Sequence, residues 1–194
     1  VATVEMQKSY LPEDLLTMPD GDRYELVDGQ LVEKPMTTWA TYVAGNLHYR
    51  LTGFSQANQS GWVLSEGESY QCFPHDPNRV RRADVSFIRR ERMSLEQALA
   101  EGHNPITPDL VVEVLSPNDL AYDVAAKVQQ WLQASVRLVW VVIPHTRIID
   151  VHRAEGVGTI LRENDELDGE DVLPGFRCTV RELFEAPAGV AVVS

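Results

Sequence analysis

Two short apolar runs constrain this chain more than any other feature. Asp109-Leu110-Val111-Val112-Glu113-Val114-Leu115 and Leu138-Val139-Trp140-Val141-Val142-Ile143 are separated by one amphipathic stretch. Each run is rich in β-branched residues and apolar on both parities, the pattern of a strand covered on both faces. Between them Val124, Val128, Trp131 and Leu132 recur at helical spacing, which predicts a helix over about residues 119 to 134. Strand, helix and strand in that order form a βαβ unit, normally right-handed with parallel strands. Glu113 is anomalous in this setting. Either side-chain direction leads into packed structure, and an unpaired buried carboxylate costs several kcal/mol or takes up a proton. A partner, metal or substrate must justify its place.

The flanking segments complete an α/β fold with a mixed central sheet flanked by helices, an N-terminal hairpin and additional C-terminal strands. Tyr24 to Val27, Asp28-Gly29 and Gln30 to Glu33 read as a hairpin, because Asp-Gly readily adopts the positive backbone angles of a two-residue turn. A short helix is expected at Leu11 to Leu16, and a longer one at about Thr38 to Phe54, where Val43, Leu47, Leu51 and Phe54 make one apolar stripe. His48 beside that stripe reads as packed or solvated. Residues 62 to 72 and 83 to 88 read as strands, and Ser94-Leu95-Glu96-Gln97 has the capping-box pattern of a short helix. A hairpin over Leu138 to Arg153, a strand near 158 to 163 and a short helix capped by Thr179 with Glu182 follow. No repeat or linker divides residues 1 to 194, so one domain is expected.

Composition narrows the function classes. No stretch approaches the roughly 18 apolar residues of a membrane span, and the N-terminal VATVEMQKSY lacks an apolar segment behind a basic one, so a cytoplasmic protein is expected. Cys72 and Cys178 form no CxxC pair and read as reduced, structural thiols. The net charge of -12 argues against loose binding to nucleic acid. Even so, Arg79, Arg81, Arg82, Arg89, Arg90 and Arg92 crowd one window around Asp84, where they form either a local basic patch or the solvated ends of an exposed strand.

Asp84 is the second carboxylate of interest. Val85 and Phe87 share one strand face, which leaves Asp84, Ser86 and Ile88 on the other. If this strand neighbours the one holding Glu113, the two acids converge and repel, and a hard cation such as Mg2+ resolves the conflict. Pairing of Asp84 with Arg81 or Arg82 is the plainer alternative. Lys127 is notable because the chain contains only three lysines, Lys8, Lys34 and Lys127, among seventeen basic residues. Lysine is a compact, tunable donor where arginine is not. On the predicted helix Lys127 lies about 40° beyond Trp131, at the border of the packed face, within reach of the preceding strand. A surface pair with Asp123 is the alternative.

Asp, Glu and Lys in this order resemble the PD-(D/E)xK nuclease site. The segments Arg23 to Gly29, Ala83 to Phe87, Pro108 to Pro117, Val136 to Val142 and Val172 to Phe176 are similar to those of the Uma2 family of restriction-endonuclease-like proteins, over almost the whole chain. The resemblance implies a Mg2+- or Mn2+-dependent endonuclease acting on nucleic acid, with DNA the expected substrate and a homodimer the expected assembly. It implies Asp84, Glu113 and the Val114 carbonyl as ligands of one or two metal ions, Lys127 as the residue that orients the attacking water or stabilises the charge developing on phosphorus, and Glu25 as a further site residue. The usual lysine position two residues after the glutamate is Leu115 here, and Lys127 and Asp123 match the family's alternative placement on the next helix. A histidine common in the family's first long helix is Ala40, and basic residues frequent after Ser116-Pro117 are replaced by Leu120, Ala121 and Tyr122. The rival reading is a non-catalytic homodimeric module that keeps the nuclease fold.

Overall fold

The computed structural model describes residues 8–34 and 36–187. The expectation drawn from the N-terminal decapeptide falls mainly on residues 1–7, outside that range. In chain order the elements are α1 (Pro12–Thr17), β1 (Tyr24–Val27), β2 (Gln30–Glu33), α2 (Thr38–Asn58), β3 (Gly61–Ser65), β4 (Ser69–Tyr70), β5 (Arg81–Arg82) and β6 (Val85–Arg89). Then come α3 (Leu95–Ala98), β7 (Leu110–Val114), α4 (Ala121–Gln133), β8 (Leu138–Ile143), β9 (Ile148–Arg153), β10 (Thr159–Leu161), β11 (Glu166–Asp168) and β12 (Arg177–Thr179).

Six strands form the central sheet in the order β10-β9-β8-β7-β6-β3. The β7–β8 pair is parallel, as the βαβ pattern requires, and its neighbours are antiparallel, so the sheet is mixed. Pleating sorts the strand residues between two layers. Leu110, Val112, Val114, Val85 and Phe87 pack toward the side that holds Val43, Leu47 and Leu51 of α2. Val111, Val139, Val141 and Ile88 pack with Val128 and Trp131 of α4 on the other. Both faces are covered, which explains why β7 carries apolar residues at both parities.

The β1–β2 turn takes positive φ at Asp28 (50°) and Gly29 (75°), as Asp-Gly predicts. A single bridge between Leu26 and Val80 lays this hairpin beside β5. The strand expected over 62 to 72 is two strands, β3 and β4, divided by a turn in which the Glu68 N–H bonds to the Ser65 carbonyl at 3.1 Å. The last short helix is a 3-10 turn, Val180–Phe184, with the Thr179–Glu182 capping box in place. A C-terminal hairpin, β11–β12, brings Leu167 and Cys178 onto the α2 side of the core. Cys72 and Cys178 are free thiols. Among the described residues no helix is long and apolar enough to cross a membrane.

Candidate active site

Strand parity aims Glu113 at α4, and sheet register supplies its neighbour. β6 and β7 pair with Val85 opposite Val112, so one further step sets Asp84 opposite Glu113. Two backbone bonds hold that step: the Asp84 N–H donates to the Val112 carbonyl at 3.1 Å, and the Val114 N–H donates to Asp84 Oδ2 at 2.6 Å. Asp84, Glu113 and Glu25 are 2%, 3% and 2% exposed, so each needs internal partners.

Helix α4 provides two of them from one face, four residues apart. Lys127 Nζ lies 2.9 Å from Glu113 Oε2, and Trp131 donates its indole N–H to Glu113 Oε1 at 2.9 Å. Lys127 also pairs with Glu25 Oε1 at 2.7 Å and donates to the Arg82 carbonyl at 3.0 Å. The surface pair with Asp123 is not its role. Glu25 comes in from β1, where Arg81 Nη1 meets its Oε2 at 2.7 Å and the Arg82 N–H meets its Oε1 at 2.8 Å. Gln130, between Lys127 and Trp131, accepts from Arg81 at 2.9 and 2.6 Å and holds that guanidinium in place.

The structure thus brings Asp84, Glu113, Lys127 and Glu25 together, with Val114 present through its backbone. It adds Lys34, which the sequence argument left out. Lys34 directly follows β2, and its Nζ bridges Glu113 Oε2 at 2.7 Å and Asp84 Oδ1 at 2.9 Å. The Asp84 contact is ionic but lies off hydrogen-bonding angles, so Oδ1 is a buried oxygen that accepts no hydrogen bond. Lysine scarcity was the signal available: two of three lysines meet on one glutamate. Trp131, read as part of an apolar arc, also proves to be a polar partner. Lys34 and Asp84 open onto a cleft of about 550 Å³, shared with Asp22, Arg23, Glu66 and Arg82.

Three carboxylates face Lys34, Lys127 and Arg81, so the cluster is neutral as it stands. Burial acts upward on Glu25 most strongly, yet Lys127, Arg81 and Lys34 outweigh it and bring its carboxyl down to about 2. Burial is likewise the largest influence on Glu113, but Lys127 and Lys34 hold it below the usual range. At Asp84 burial prevails, reinforced by Glu113, and the carboxyl is raised despite Lys34. Burial pulls the Lys34 ammonium down, while Asp84, Glu113 and Glu25 together lift it well above the usual lysine range. Its side chain is 23% exposed to the cleft, so that desolvation is partial. Asp84 is therefore the carboxylate whose charge the cluster sustains least.

The arginine window does not form an open basic patch. Arg79 pairs with Asp28 and Asp76, Arg81 with Glu25, and Arg82 donates to the carbonyls of Tyr24 and Gly67. Arg89 and Arg92 serve Asp109, and Arg90 donates to Gln59. These arginines tie loops to strands. The alternative in which Asp84 pairs with Arg81 or Arg82 fails as well, since Glu25 takes the one and backbone carbonyls the other.

A family model described as "Uma2: Putative restriction endonuclease" matches residues 12–181. No curated protein matches the chain. Among solved structures, the chain is similar to the crystal structure of a "putative nuclease belonging to DUF820" from Anabaena variabilis. That likeness has a TM-score of 0.75 over 90% of this chain and 97% of the other, at 16% sequence identity. At that identity the similarity is one of fold.

Proposed function

Because the chain belongs to the Uma2 family, whose model spans residues 12–181, we propose that it is a metal-dependent endonuclease hydrolysing phosphodiester bonds in DNA. The observation that carries this reading is the opposition of Asp84 and Glu113 on adjacent strands, with Asp84 lining a cleft. Their oxygens Oδ1 and Oε2 lie within 2.9 Å of one point, and Asp84 Oδ1 accepts no hydrogen bond. All-oxygen donors of this kind suit a hard divalent cation. Among the described residues no three His, Cys, Asp or Glu side chains gather as a complete metal cage. Mg2+ accepts such a site, since it commonly takes one or two carboxylates and completes its shell with water and substrate phosphate. Asp84, Glu113 and the Val114 carbonyl would hold Mg2+ or Mn2+, which supplies Lewis acidity and a more acidic bound water.

The protein's own side chains prepare this floor. Trp131 and Lys127 fix the two oxygens of Glu113 in different directions, and the Val114 N–H fixes Asp84 Oδ2, leaving Oδ1 aimed at the seat. Held 2.7 Å from Glu25 and 2.9 Å from Glu113 and bonded to the Arg82 carbonyl, Lys127 acts as a positioning residue for the carboxylates. Glu25 is the anchor that keeps it there. The test is nicking of plasmid, single-stranded and branched DNA with Mg2+ or Mn2+ by wild type and Glu113→Ala. Cleavage is expected for the first alone. A wild type that binds metal but cuts none of these substrates would count heavily against the nuclease reading.

A second reading has its own support. The cluster is charge-balanced without a metal, and Leu120 and Tyr122, 51% and 69% exposed, stand where basic residues would meet phosphate. On that reading the chain is a non-catalytic module that pairs with a second copy. Sedimentation for assembly, with calorimetric metal titration of wild type and Asp84→Ala, separates the two.

A further inference from the structure

We propose that Lys34 is a tethered counter-cation sharing its seat with the metal: one divalent ion enters between Asp84 and Glu113 only as the Lys34 ammonium swings into the cleft, where it meets the substrate phosphate. This rests on the metal-dependent reading above and adds to it a competitor built into the chain.

Geometry is the first support. Lys34 Nζ sits 2.7 Å from Glu113 Oε2 and 2.9 Å from Asp84 Oδ1, the same two oxygens a metal would take. A magnesium ion binds oxygen at roughly 2.1 Å, so the ion and the ammonium exclude each other. The two lysines of the cluster also differ in freedom. Both reach the Arg82 carbonyl, at 3.0 Å from Lys127 and 3.4 Å from Lys34, but Lys127 is 12% exposed and set within a helix, whereas Lys34 is 23% exposed, lines the cleft and follows a hairpin. A flexible four-carbon stem lets its charge move several ångströms without a backbone change.

Charge is the second support. The resting cluster is neutral, with three carboxylates against Lys34, Lys127 and Arg81. A divalent ion added with Lys34 in place would leave two positive charges in excess at a buried floor, which is costly. With Lys34 withdrawn, the buried floor keeps one excess positive charge, and the negative phosphodiester is attracted both to it and to the displaced ammonium, leaving one positive charge at the solvent-facing side, where it is hydrated. The same arithmetic admits one metal per chain, since a second would restore the excess. Metal and substrate therefore favour each other, and in their absence Lys34 closes the site.

Calorimetric titration of Mn2+ into wild type and Lys34→Met tests the competition. Removing one charge-assisted contact at each metal oxygen should tighten Mn2+ binding by about 10- to 100-fold, with one ion per chain in both proteins. Binding to Lys34→Met but not to wild type would support the proposal in its strongest form. If wild type binds one ion and Lys34→Met binds it equally or more weakly, the competition is refuted while the metal site stands. If neither protein binds, the metal reading itself fails and takes this inference with it. Should Lys34→Met not fold, wild type decides. With only three lysines in the chain, 15N-labelled lysine ammonium resonances can be followed during Mg2+ addition. The Lys34 signal should lose its hydrogen-bonded shift while that of Lys127 keeps it. An unmoved Lys34 signal at saturating Mg2+ would overturn the proposal.

Discussion

Two buried acids stand at opposite ends of the β7 segment, and they are neutralised in different ways. Asp109, 2% exposed, takes Arg92 Nη1 at 2.9 Å and the Arg89 main-chain N–H at 3.0 Å. Glu113, 3% exposed, takes Lys34, Lys127 and the indole of Trp131. Both lie on central structure and both are paired, so burial alone does not distinguish them. The partners do. Arginine is always charged and offers a rigid fork, which suits a permanent clamp at the foot of β6 and β7. Lysine is a compact charge on a flexible stem, which suits a contact that must be remade. A chain that spends fourteen of seventeen basic residues on arginine places two of its three lysines on Glu113.

The largest expected effect separates the two acids by function. Glu113→Gln should lower DNA cleavage by about 100-fold or more, while Asp109→Asn should leave it within about twofold, both read by plasmid nicking. Equal losses would erase the distinction. Next, Lys127→Met should cost about 3 kcal/mol in urea unfolding, because Glu25 and Glu113 each lose a buried partner. Arg92→Met should cost about 1 kcal/mol or less, since that guanidinium is 38% exposed.

Acid unfolding sharpens the same contrast. The Glu25 carboxyl lies at about 2 in the folded chain against 4.5 for the free side chain. Its contribution is complete above about pH 4.5 and is lost as pH falls toward 2, about 3 kcal/mol in all. Asp84, raised by burial, has the opposite sign: its ionisation costs stability, and protonation returns part of that. Urea midpoints across this range should fall more steeply for wild type than for Glu25→Gln. A smaller effect than that of Lys127→Met belongs to Trp131→Phe, which removes the hydrogen bond to Glu113 Oε1 and should cost about 1 to 2 kcal/mol of stability. Its cleavage loss should be well below that of Glu113→Gln.

Much of this site was legible because strands obey a two-residue period. Once β6 and β7 are neighbours, parity alone turns Asp84 and Glu113 to one face, and helical spacing brings Lys127 to the edge of the α4 contact. Glu25 came with the family resemblance, in the hairpin segment Arg23 to Gly29, and not from a local period. Lys34 was not legible, because its place depends on how that hairpin docks across the sheet, through Leu26 and Val80 and over 79 residues of separation from Glu113. No local period encodes such a contact. The destinations of Arg81 and Arg82 were hidden for the same reason. β11 and β12 escaped because three residues, Glu-Leu-Asp or Arg-Cys-Thr, are too few to display alternation.

The indole of Trp131 gives the site an optical signature of its own. It is fully buried, stacked edge-on to Tyr70 and bonded through nitrogen to the carboxylate shared by Lys34 and Lys127. Any event that draws charge away from Glu113 alters the electric field along that ring, and with it the colour of its emission. The difference spectrum between wild type and Trp131→Phe is therefore a label-free reading of what Glu113 is holding.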